Sequence, residues 1–160
     1  MDQLGLVILE LDEIERLFPH SGRALGVERS WFWPDDPSVF YGQRTVTDAD
    51  CEGHFGLLPG VMLVDWCGQV ALLAGHRFGV SAKYGLINSF QSGTPLVPIL
   101  PGEQVVIRVS FRDRLDSWLP ARHGRVYGSV AWNGYLFLEV ELGFSLLEEN
   151  RLDRLRSEEF

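Results

Sequence analysis

Apolar residues recur at helical spacing in two stretches of the chain and at alternating spacing in several others. In residues 10–18, ELDEIERLF, the side chains of Leu11, Ile14, Leu17 and Phe18 fall on one face of a short helix. Pro19 ends it, because the residue before a proline is driven out of helical geometry. Ala24–Trp33 and Val39–Thr47 are alternating or aromatic runs on either side of Pro34-Asp35-Asp36-Pro37, and they predict a β-hairpin. Residues 61–76, VMLVDWCGQVALLAGH, form the longest helical candidate, preceded by Pro59-Gly60 and followed by Gly79. Leu63, Val64, Cys67, Val70, Ala71 and Ala74 make one apolar face, and Val61, Met62, Gly68 and Leu72 give a second, with Asp65 and Gln69 on it. A helix apolar nearly all round is expected to be buried nearly all round, which makes Asp65 an expensive carboxylate.

Strand-like runs follow at Tyr84–Phe90, Gln104–Arg112, Gly124–Trp132 and Tyr135–Leu147. Asn133-Gly134 is the strongest hairpin signal in the chain and pairs the last two. Pro120–His123 reads as loop, and the charged tail Glu148–Phe160 as weakly helical. The order is a short helix, a hairpin, one long buried helix and a run of antiparallel strands. It predicts an α+β fold in which an antiparallel sheet wraps around a single helix.

Composition narrows the function more than the fold. The 160 residues suit one domain, 1–160, and 46% hydrophobic with 22% charged residues is a globular balance. A net charge of −8 repels phosphate and argues against nucleic-acid binding. Cys51 and Cys67 make no disulfide framework, no run reaches the length of a membrane span, and Met1-Asp2-Gln3-Leu4 lacks a basic leader. The expected setting is the cytoplasm.

The candidate chemistry is concentrated between residues 53 and 69. Gly53 precedes His54 and allows another chain or a ligand to come close. Pro59-Gly60 opens the long helix, whose first N–H groups, those of Gly60 and Val61, lack partners within it and suit a developing oxyanion. Asp65 lies one turn further in, with Gly68 clearing space beside it and Gln69 on the same face. A base, an acid and an oxyanion site thus fall within one short stretch.

Gly53-His54-Phe55…Pro59-Gly60-Val61-Met62-Leu63-Val64-Asp65…Gln69 resembles the signature of the β-hydroxyacyl-acyl carrier protein dehydratases, roughly G-H-F-P-G-x-P-x-M-P-G-V-L-x-x-[E/D]-A-x-x-Q. Leu11-Asp12-Glu13-Ile14…Phe18-Pro19-His20 looks like the family's opening helix and Pro-His. Val97-Pro98-Ile99-Leu100-Pro101-Gly102-Glu103-Gln104-Val105 looks like its P-V-x-P-G-D-x-L segment. The segment from His54 to Pro59 is shorter than the family's, and Gly56-Leu57-Leu58 stands where it has Pro-Gly. Asp65 and Trp66 are similar to the subgroup that also isomerises the double bond.

The resemblance implies the hotdog fold and a dehydration. A 3-hydroxyacyl thioester on the phosphopantetheine arm of an acyl carrier protein would lose water to give a trans-2-enoyl thioester, in fatty-acid or polyketide biosynthesis. His54 would remove the α-proton, Gly60 or Val61 would polarise the thioester carbonyl, and Asp65, held by Gln69, would protonate the departing hydroxyl. No metal and no redox cofactor is implied. His54 and Asp65 of one site would come from different subunits of a homodimer, an oligomer of dimers or a heterodimer. Two other functions fit the same fold: an acyl thioesterase, and a non-catalytic subunit supporting an active partner.

Other chemistry-bearing residues have plainer readings. His20, His76 and His123 read as structural or exposed, Cys51 lacks further ligands for a metal or nucleophile site, and Cys67 reads as core. Trp31, Trp33, Trp118 and Trp132 read as packing, whereas Trp66 beside Asp65 is placed to shape an acyl tunnel. Arg108, Arg112, Arg114, Arg122 and Arg125 are either an ordinary solvated face or a dock for an acidic carrier protein.

Overall fold

The computed structural model describes residues 5–18, 22–77, 84–92, 98–111, 123–133 and 135–147. Strand β1 (Val7–Glu10) runs directly into helix α1 (Leu11–Leu17), and a 3₁₀ turn at Gly22–Ala24 leads to β2 (Arg29–Trp33) and β3 (Asp36–Thr45). A second 3₁₀ turn, Asp48–Cys51, precedes helix α2 (Gly60–Arg77). Among the described residues four further strands follow: β4 (Tyr84–Ser92), β5 (Gln104–Phe111), β6 (His123–Trp132) and β7 (Tyr135–Leu147). They form one seven-stranded antiparallel sheet in the order β1-β2-β3-β5-β6-β7-β4.

Alternation dictates which face of the sheet meets α2. Val105, Ile107, Val109 and Phe111 of β5, Val126 and Val130 of β6, and Leu138, Val140 and Leu142 of β7 all point inward and are buried. Their intervening neighbours Arg108, Ser110, Tyr127, Ser129, Glu139 and Glu141 share the outer face. The helix answers with Leu63, Trp66, Cys67, Val70, Leu73 and Ala74, all buried. Two sheet glycines let it lie close. A methyl group on Gly42 would stand 2.4 Å from Val70, and one on Gly128 would stand 2.8 Å from the Cys67 sulfur.

Several expectations change. Val7–Glu10 is a strand that the sequence reading missed; the run is short and passes into α1 without a turn residue to mark it. On α1 only Ile14, with Phe18 just beyond it, is buried, whereas Leu11 and Leu17 stay exposed. Helix α2 is not buried all round. Within this chain one arc is open to solvent: Val61 is 64% exposed and Asp65 is also exposed. The sheet covers much of the remainder, and the Ala24–Gly26 segment and Phe18 pack on other parts of it. Pro120–Arg122, Gly134 and the tail 148–160 lie outside the described residues, while Trp132 and Tyr135 pair across the turn as expected.

Candidate active site

His54 sits in an exposed excursion between the 3₁₀ turn and α2. Cys51 O accepts from His54 N at 3.1 Å, and His54 O accepts from Leu57 N at 3.1 Å. The chain passes through positive φ at Gly53 (78°), Phe55 (57°) and Gly56 (74°). Glycine adopts this geometry without strain; phenylalanine does not. Gly53 therefore supplies backbone conformation, and among the described residues nothing crowds it. The His54 side chain is exposed and makes no hydrogen bond, ion pair or ring contact with the described residues. Phe55 beside it is fully exposed, at 102%.

The excursion is tied at its base. Leu58 N donates to Ile99 O at 3.0 Å, while Val46 N donates to Glu103 O and Gly102 N to Val46 O, both at 2.8 Å. One segment, 99–103, thus holds the chain on both sides of the His54 loop. It also sets exposed Leu100 beside a loop that carries exposed Phe55 and Leu57.

Gly60 opens α2. Met62 N already donates to Pro59 O at 3.0 Å, so the N–H groups of Gly60 and Val61 are those that a helix start leaves without intrahelical partners. The Gln69 Nε2 donates to Asp65 Oδ2 at 2.8 Å and to Ala24 O at 2.9 Å, and Gln69 Oε1 accepts from Gly26 N at 2.8 Å. Gln69 is buried and Asp65 is not, so the amide bridges the core to the exposed carboxylate. The structure brings Asp65 and Gln69 together and makes no hydrogen bond between His54 and Asp65 of the same chain.

Neighbouring expectations are corrected. The space at Gly68 is filled by Ile87 of β4, whose Cδ1 lies 3.0 Å from where a methyl group would be. Trp66 is a core residue at 1% exposure, with the backbone of Gly26 against its indole, and does not line a tunnel in this chain. Cys67 is buried, and burial pushes its thiol up to about 12, with the Asp65 charge adding to the effect. Arg108 and Arg125 do lie on the outer sheet face. They share it with Glu139 and Glu141, and Arg125 approaches Glu141 at 3.5 Å, so this face is mixed in charge. Arg112, Arg114, Arg122, His20 and Trp118 lie outside the described residues.

Sequence reasoning missed Arg44 and Asp50. The Arg44 Nη2 donates to both carboxylate oxygens of Asp50 at 3.0 Å, with the two side chains 14% and 5% exposed. Asp50 also accepts from Thr47 N and Oγ1, each at 2.8 Å. Burial would raise the Asp50 pKa, but these Thr47 donors and the Arg44 guanidinium outweigh it and hold the carboxyl below its ordinary value. The only advance signal was a Thr-x-x-Asp capping pattern at residues 47–50.

No protein-family model matches the chain, and no curated protein matches it in sequence. Solved structures do match. A chain of the dehydratase heterocomplex ApeI:P from Xenorhabdus doucetiae superposes with a TM-score of 0.71 at 16% identity, covering 89% of this chain and 95% of that one. The fold is the hotdog. The thioesterase HI1161 from Haemophilus influenzae gives a TM-score of 0.64 at 18% identity, covering 88% and 92%. The PaaI protein from the Escherichia coli phenylacetic acid degradation operon gives 0.53 at 14%, covering 68% and 76%. At these identities the likeness is one of fold. Among the described residues no helix is long and apolar enough to cross a membrane.

Proposed function

We propose that the protein dehydrates a 3-hydroxyacyl thioester, carried on the phosphopantetheine arm of an acyl carrier protein, to a trans-2-enoyl thioester in the cytoplasm. The observation that carries the reading is the Gln69 bridge, which holds Asp65 one turn inside the open N-terminus of α2. His54 takes the α-proton, and the N–H of Gly60 or Val61 stabilises the enolate-like oxygen that develops on the thioester. The Cβ–OH bond breaks as Asp65 delivers a proton, the α,β double bond forms, and water leaves. No step of this reaction calls on a metal or a redox group.

The working unit in this reading is a dimer with another hotdog chain, a second copy in the simplest case. His54 without a side-chain partner among the described residues, the exposed Phe55 and the open arc of α2 at Val61 and Asp65 all support a site completed across an interface. Hydrolysis is the second reading, supported by the thioesterase among the similar structures. In that case Asp65 activates water and His54 has no assigned step. Incubation with a 3-hydroxyacyl thioester separates the readings by product mass. Loss of water is expected; loss of the thiol moves the assignment to a thioesterase, and an unchanged substrate moves it to a supporting subunit.

A further inference from the structure

We infer that Arg44 and Asp50 are positioning residues for His54; the kinetic part of this proposal rests on the dehydratase reading above. The Asp50 carboxylate collects four hydrogen bonds, two from Arg44 and two from Thr47, and so fixes the 3₁₀ turn Asp48–Cys51 against the end of β3. The next residue, Cys51, supplies the carbonyl that receives the His54 N–H. One peptide linkage and one hydrogen bond therefore separate Asp50 from the backbone of His54.

The same guanidinium reaches the other half of the site. Arg44 Cζ lies 5.8 Å from the centre of the Trp66 ring. Trp66 follows Asp65 in sequence, and its indole packs on Gly26, whose N–H donates to Gln69. One side chain thus touches both the base of the His54 loop and the helix segment that bears the carboxylate. A buried ion pair is a weak way to add stability, because apolar residues of the same shape do as well or better. What the pair supplies is a fixed position: the Arg44 Nη2 is shared between both carboxylate oxygens of Asp50 in charge-assisted hydrogen bonds. Where the dehydratase signature has Pro-Gly to stiffen the histidine loop, this chain has Gly56-Leu57-Leu58, and the clamp holds the loop from its base instead.

Two measurements on the full-length protein test this. Amide exchange by mass spectrometry of Asp50→Asn should show exchange at residues 51–58 about tenfold faster, with residues 66–75 of α2 unchanged. Enoyl thioester formation should show kcat lower by about 10- to 100-fold with KM within about twofold, since a displaced base costs rate and not substrate binding. If Asp50→Asn exchanges everywhere, the double variant Arg44→Met, Asp50→Leu leaves no buried charge unpaired and carries the same two expectations. Unchanged exchange at 51–58, or a wild-type kcat in the folded variant, overturns the proposal. Should the wild-type protein form no enoyl thioester, the dehydratase reading is what fails. The clamp is then judged by exchange and by the NMR signal of the His54 ring, which must shift in the double variant if Arg44 and Asp50 position it.

Discussion

Gln69 uses its side-chain amide three times, on Asp65, Ala24 and Gly26, while His54 has no side-chain partner among the described residues. The two residues should fail differently. Gln69→Leu leaves the buried Gly26 N–H without its acceptor, which costs about 1–3 kcal/mol and should lower the urea midpoint together with turnover. His54→Ala removes an exposed side chain, so stability should stay within about 0.5 kcal/mol while dehydration falls by about 10²–10⁴-fold. A His54→Ala protein with wild-type turnover would place the chemistry elsewhere. Asp65 and Gln69 were legible in the sequence because residues four apart on a helix are neighbours. Arg44 and Asp50 were not. A lone arginine and a lone aspartate normally mark a solvated surface, and only the turn after β3 puts this pair in the interior.

Helix α2 carries consequences along its length. Near its middle, Gly128→Ala would force a methyl group to 2.8 Å from both Cys67 Sγ and Val140 Cγ1, and should cost about 1–3 kcal/mol in unfolding free energy. At its C-terminal end, His76 packs edge-on against Phe18 at 6.4 Å, with Nε2 buried and without a hydrogen-bond partner among the described residues. Burial holds the imidazole below its ordinary value of 6.5. The unfolded chain therefore binds the proton first. Stability from this residue is complete above pH 6.5 and is lost as pH falls through 6.5 toward the folded-state value. Urea unfolding at stepped pH should show a decline from about pH 7 to 5 in wild type that is smaller in His76→Phe. The span of α2 was legible because its apolar period is long. Its open arc was not, since Val61 looks like a core residue in sequence, yet no described element covers it.

For the whole molecule, the α+β character and the central helix followed from the order of periodic segments. The place of β4 beyond β7 did not, because strand pairing between distant segments leaves no mark in local pattern. The proposed pairing with a second chain gives the last prediction. His54→Ala and Asp65→Ala are each expected to be inactive. Refolded together as a homodimer, they should form about half mixed dimers, each with one intact site, and recover about a quarter of wild-type activity. Mixed dimers confirmed by mass but without activity would show that one chain supplies both groups.

The ladder between β3 and β5 joins Val39 to Ser110 and Thr45 to Gln104, with α2 and β4 made in between. During synthesis the chain emerges as a three-stranded meander and then an apolar helix, long before β5 exists to close the sheet. Throughout that interval the free side of β3 presents unpaired backbone groups, and the inner face of α2 has no sheet beyond β3 to cover it. Contacts this remote in sequence also slow the final closure. The nascent polypeptide is therefore at its most aggregation-prone between the release of Arg77 and the release of Phe111, and chaperone capture on ribosomes should peak in that window.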